Sequence, residues 1–139
     1  MPEAERNIIS RIRLERAEEC LEDSRENIDS GRYKNAANRS YYAVFHSMRA
    51  VLALDGFDSK KHSGVISKFR NLYIKSGTFD TELSKIITKL FEIRGKSDYD
   101  DFYIISKDEV IEQYENAVKF VETIKNYLAD RTKRSDKTE

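Results

Sequence analysis

At 139 residues the chain has length for one domain and one core, and 39% hydrophobic against 36% charged residues excludes a wholly disordered polymer. Its 25 basic and 25 acidic residues cancel, which excludes a global positive field for nucleic acid, and one Cys excludes both an intrachain disulfide framework and a multi-cysteine zinc site. One Pro and five Gly are too few for a many-stranded sandwich or barrel; with no apolar run near the roughly 18 residues of a membrane span and no secretory leader pattern, a soluble cytoplasmic protein is expected.

Gly31, Gly56, Gly77 and Gly95 divide the sequence into five segments, four of them with clear helical periodicity. In the first, Leu14, Ala17, Leu21, Ser24 and Ile28 recur at spacings of three and four, and Ile8 and Ile12 extend the apolar side. Glu15, Arg16, Glu18, Glu19 and Glu22 are expected to form its solvated face. Ser30-Gly31 allows a short connection, which predicts an antiparallel hairpin. The second segment, Tyr33 to Leu54, sets an apolar stripe (Ala37, Tyr41, Val44, Met48, Val51) against a polar one (Asn35, Arg39, Tyr42, His46, Arg49). At ~100° per residue, Arg39 and His46 point within about 20° of each other, two turns apart.

The third helix is expected from a cap at Asp58 or Ser59 to Lys75, with His62, Val65, Ile66, Phe69, Leu72 and Tyr73 on one face. The fourth is expected from Thr78 or Asp80 to Arg94-Gly95, with Leu83, Ile86, Ile87, Leu90 and Phe91 on one side. Residues 96–105 read as a loop whose Tyr99, Phe102 and Tyr103 anchor it on the bundle. Ser106 and Glu109 form a capping box for a fifth helix with the stripe Val110, Tyr114, Ala117, Val121, Ile124 and Leu128. The organisation is one helical domain over residues 1–129 with a polar, fraying tail over 130–139. The fold class is all-α, a five-helix up-and-down antiparallel bundle.

Familiar catalytic spacings are missing: no glycine-rich phosphate loop, no HExxH and no Gly-x-Ser-x-Gly elbow. Cys20 reads as a small buried hydrophobe. His46 with Arg39 is the catalytic candidate, because imidazole exchanges protons near neutrality and guanidinium clamps phosphate. The bland alternative is a histidine bonded to a neighbouring helix and an arginine paired with a surface carboxylate. Arg94 and Asp98 pair four apart if the fourth helix continues; otherwise Arg94 complements the helix C-terminus, and a phosphate contact beside His46 is the functional alternative. His62 reads as a helix-entry histidine. Asp98, Asp100 and Asp101 lack calcium-loop spacing and only two His exist, so no metal or cofactor is expected.

The run Asn38-Arg39-Ser40-Tyr41-Tyr42-Ala43-Val44-Phe45-His46, then Lys61-His62-Ser63-Gly64-Val65-Ile66, then Leu90-Phe91-Glu92-Ile93-Arg94 with Asp98-Tyr99, resembles the HEPN domain family. The small stand-alone prokaryotic branch is the nearest match, over residues 5–128. The resemblance implies a five-helix bundle that commonly dimerises through a shared groove. It also implies a place among RNA-cleaving toxins, abortive-infection effectors or nucleotide-binding accessory subunits. Many such proteins are encoded beside a minimal nucleotidyltransferase acting as antitoxin, in some systems by modifying a toxin tyrosine. Ribonuclease members carry Arg-x(4–6)-His near the start of the fourth helix. Here the fifth residue after Arg94 is Tyr99 and no His follows; an Arg-x(6)-His string instead runs from Arg39 to His46 on the second helix.

Three functions follow as expectations. The first is a nucleotide- or RNA-binding partner of a nucleotidyltransferase, with Arg94, Tyr42, Arg49, His62, Asn38, Asp98 and Tyr99 as phosphate or nucleotide contacts beside Arg39 and His46. The second is a metal-independent ribonuclease toxin using His46 with Arg39 and Arg94. The third is a non-catalytic scaffold with the polar stripe buried across a homodimer.

Overall fold

A computed structural model of the chain describes residues 2–137, with side chains described through Arg134. The helices are α1 (Glu3–Asp29), α2 (Tyr33–Leu54), α3 (His62–Phe69), α4 (Thr81–Tyr99) and α5 (Lys107–Lys137), with no strand among the described residues. No helix is long and apolar enough to cross a membrane. α3 passes into a wide π-type segment, Arg70–Ile74, closed by the Lys75 amide donating to the Arg70 carbonyl. Gly31, Gly56 and Gly77 adopt positive φ of 75°, 74° and 79°, the left-handed geometry that lets three helices stop sharply.

α2 is the central element and packs against α1, α3, α4 and α5. Its expected apolar stripe is buried throughout, together with Phe69, Leu83, Ile87, Leu90, Phe120 and Ile124 from the other helices. Toward α1 the packing uses small residues: Ala17, Cys20 and Ser24 meet Ala36, Ser40 and Ala43. Ser24 Oγ lies 2.9 Å from the Ala36 carbonyl and 2.8 Å from Ser40 Oγ, so the buried hydroxyls satisfy one another.

Three boundaries differ from expectation, the start of α3 and the ends of α4 and α5, each for a physical reason. α3 begins at His62 rather than after Asp58, because the Asp58 carboxylate is engaged by two arginines and the Ser59 amide. Asp80 caps α4 through the Glu82 amide at 2.8 Å, and the helix runs through Gly95 to Tyr99. A mid-helix glycine costs about 1 kcal/mol relative to alanine; buried Ile93 and Ser97 and the Arg94–Asp98 pair support the extra turn. In the following loop Tyr103 is half-buried and Ile105 buried, while Tyr99 and Phe102, expected as anchors, are 79% and 93% exposed. Ile8 and Ile12 are likewise exposed, because the inward positions of that stretch of α1 are taken by Ser10 and Arg13.

The stretch expected as a tail continues α5 to Lys137; residues 138 and 139 lie outside the described residues. Arg131 holds this end by donating to Asp55 Oδ1 at 3.0 Å and to the Tyr73 hydroxyl at 2.9 Å, and Tyr73 donates to Asp55 Oδ2. Burial and the adjacent Asp55 push the Tyr73 phenol up, so it stays a donor. Arg131→Ala should therefore lower stability by about 1–2 kcal/mol in urea denaturation, the range for a charge-assisted hydrogen bond. An unchanged midpoint would show that this end of α5 is held by its apolar face alone.

Candidate oxyanion cleft

Helix α2 has four covered sides and one polar ridge. Arg39, Tyr42, His46 and Arg49 lie half-buried along it, and Asn35 is exposed at its start. The α1–α2 hairpin decides what faces them. Residues equidistant from Gly31 oppose each other in an antiparallel pair, which sets Arg16 near His46 and Arg13 near Arg49. Arg13 Nη1 indeed donates to the Arg49 carbonyl at 3.2 Å. α4 then brings Arg94 and α3 brings His62 to the same ridge.

Tyr42 is the hub. The Arg39 and Arg94 guanidinium carbons lie 5.2 and 5.5 Å from its ring centre, within cation–π range. Its hydroxyl accepts from Arg94 Nη2 at 3.2 Å, and its ring lies 5.9 Å from His46 and 5.7 Å from His62. Arg94 also bonds Asp98 through Nε at 3.0 Å, and Asn38 donates to Asp98 at 3.4 Å. Arg39 donates to the Asn38 amide oxygen at 2.7 and 3.1 Å and to Cys20 Sγ at 3.9 Å, with no carboxylate partner among the described residues. A neutral acceptor leaves that guanidinium charge uncompensated.

His46 is the electrostatic centre. Its Nδ1 is fully buried and has no hydrogen-bond partner. Burial, followed by the fields of Arg49, Arg16, Arg39 and Arg13, brings its pKa down to about 4, so the ring is neutral at pH 7. Arg49 Nε is also buried and unpartnered. An unsatisfied imidazole and guanidinium side by side are what an oxyanion would satisfy. His62 is different: it opens α3, its Nδ1 lies 2.8 Å from the Tyr41 hydroxyl, and it stacks on Phe45 at 4.1 Å. Burial raises the Tyr41 phenol to about 12 against the pull of Arg94, so the hydroxyl keeps its proton in this contact.

Of the expected contacts, Arg39, Tyr42, His46, Arg49, His62, Arg94, Asn38 and Asp98 converge on one ridge. Tyr99 does not; it lies beyond the Arg94–Asp98 pair, largely in solvent. Sequence reasoning missed Arg13 and Asp58; Arg16 is exposed, as expected, and acts on His46 through its field. The usable signal was the mirror position of Arg13 and Arg16 about Gly31.

A histidine NMR titration should place His46 at about 4 rather than 6.5. Because the folded ring binds its proton less readily than the unfolded one, stability is complete above pH 6.5 and falls as pH drops towards 4. The loss is on the order of 2 kcal/mol, allowing for solvent screening. A midpoint at or above 6.5 would mean that the guanidinia do not act on this ring.

The HEPN domain matches residues 10–128. A UPF0332 protein of Thermotoga maritima is 33% identical over 115 residues, covering 83% of this chain and 87% of the relative. Two Methanocaldococcus jannaschii proteins named putative toxins, MJ0142 and MJ0605, are 33% and 34% identical, covering 85% and 84% of this chain and 80% and 87% of theirs. The chain belongs to the HEPN domain family.

Proposed function

We propose that the cleft binds a phosphate group of a nucleotide or RNA, and that the protein is the toxin-like, nucleotide- or RNA-binding member of a pair with a minimal nucleotidyltransferase. One observation carries the reading: a neutral imidazole with a sealed, unpartnered nitrogen stands among Arg13, Arg16, Arg39 and Arg49. A phosphate entering there would accept from the guanidinia and raise the histidine pKa, allowing the ring to donate as well. The two similar proteins named putative toxins support the toxin-like part.

A second reading has its own support. A histidine held neutral at pH 7 is ready as a base for a ribose 2′-hydroxyl, and the imidazolium so formed could return the proton to the leaving oxygen. Arg39 and Arg94 would then stabilise the charge developing on phosphorus oxygens, making a metal-independent ribonuclease. In either case a homodimer is the expected state; a monomer mass by light scattering at micromolar concentration would remove it.

Calorimetry with adenosine 5′-monophosphate should show binding that weakens roughly tenfold in Arg94→Ala, the scale of one lost charge-assisted contact. Undiminished binding would remove Arg94 from the site. RNA incubated with the protein and EDTA separates the two readings. Cleavage that disappears in His46→Ala supports the ribonuclease. Intact RNA with retained binding leaves the binding module, and cleavage equal to wild type in His46→Ala overturns the catalytic role of His46.

A further inference from the structure

The loop joining α2 to α3 carries a carboxylate in an unusual position. Asp58 is 56% exposed, yet it spans the guanidinia of Arg13 and Arg49 at the end of the polar ridge nearest the α2–α3 loop. Oδ2 accepts from Arg13 Nη2 at 3.1 Å, and Oδ1 lies 3.5 Å from Arg49 Nη2. The arginine side chains are only 13% and 22% exposed. They are fixed by other contacts: Arg13 by the Arg49 carbonyl, and Arg49 by lying 6.0 Å from the Phe45 ring centre. Two oxygens of one small anion bridging two fixed forks is also how a phosphate group would sit.

We infer that Asp58 is a built-in competitor for the phosphate position between Arg13 and Arg49: it weakens every phosphate ligand alike, so that with the carboxylate in place a terminal, dianionic phosphate still binds while an internal phosphodiester falls out of range. This rests on the phosphate reading above and narrows it to a class of ligand. Exchanging the carboxylate for a diester trades one negative charge for one and gains no attraction. A monoester carries about −1.5 to −2 near pH 7 and so brings additional charge to Arg13, Arg49 and the uncompensated Arg39. It also offers three free oxygens to the guanidinium donors, against two from the carboxylate. Displacing Asp58 costs little burial, because the residue is already more than half in solvent on a non-helical segment. The far end of that segment is pinned by His62 on Phe45 and Tyr41, so Asp58 can leave without α3 moving. Burial alone would raise the Asp58 carboxyl; Arg13, the Ser59 amide and Arg49 outweigh it and hold the group below its ordinary range, so the competitor stays charged at neutral pH.

The test uses the full chain and the His46 NMR resonance, with methyl phosphate and dimethyl phosphate as probes at pH 7.5 and constant ionic strength. Wild type should bind methyl phosphate at least tenfold more tightly than dimethyl phosphate, whose binding should be barely measurable. Asp58→Asn should tighten both by a similar factor, roughly tenfold, bringing the diester into range. Asp101→Asn, which removes the same charge from an exposed loop, should shift both by less than about twofold. The His46 resonance of the free variant reports that the cleft is intact, and Asp58→Ser serves as a second variant should Asn distort the loop. Equal wild-type affinities, or no tightening in either Asp58 variant, would overturn the inference while leaving phosphate binding standing. Failure of wild type and variants to bind either probe would overturn both.

Discussion

The constraint behind this structure is that α2 has almost no side left for water. Four helices cover it, and the strip that remains carries arginine, tyrosine and histidine instead of the Glu/Lys mixture found on the outer helices. Those groups can neither bury themselves in the apolar core nor hydrate fully. Their mutual electrostatics therefore govern the cleft: the imidazole is driven neutral, and the guanidinia spread over aromatic faces and amide oxygens. Net charge says nothing of this, since the chain sums to zero while one ridge concentrates five arginines around a histidine.

A cluster of like charges persists only if something shares the repulsion. Here Asp98 neutralises Arg94 at one end, and Asp58 serves Arg13 and Arg49 at the other. The middle, around Arg39 and His46, has Tyr42, the Asn38 side chain and Cys20 Sγ, none of them an anion. This is the sense in which stability and binding oppose each other. The groups that make the centre attractive to an oxyanion are those whose desolvation is least compensated in its absence.

Much of the fold could be read from spacing. The α2 stripe, the Asp80 cap, the Ser106 cap and the α5 apolar face are local patterns, and local patterns survive into the structure. Failures came where a distant partner decided. Gly95 reads as a stop, but Arg94 and Asp98 close a turn across it. The polar end of α5 reads as a tail, but Asp55 and Tyr73 wait for Arg131. Ile8 and Ile12 follow the apolar period yet face outward. For the site, the residues on α2 were legible as one face of one helix. Arg13 and Asp58 were not, because an arginine among glutamates and an aspartate in a loop carry no periodic signal. Only the mirror relation of the hairpin connects them.

The buried contact between Ser24, Ser40 and the Ala36 carbonyl bears on how that mirror relation is kept. Small side chains alone would let one helix glide along another, since an alanine-lined surface looks alike at successive turns. Two hydroxyls that satisfy each other at a single offset act as a detent. Sliding α1 by one turn would strand both in a dry environment and pull Arg13 and Arg16 out of step with Arg49 and His46. A pair of serines remote from any ligand thus keeps the arginine cluster assembled, and replacing either with alanine would loosen the alignment without touching a charged residue.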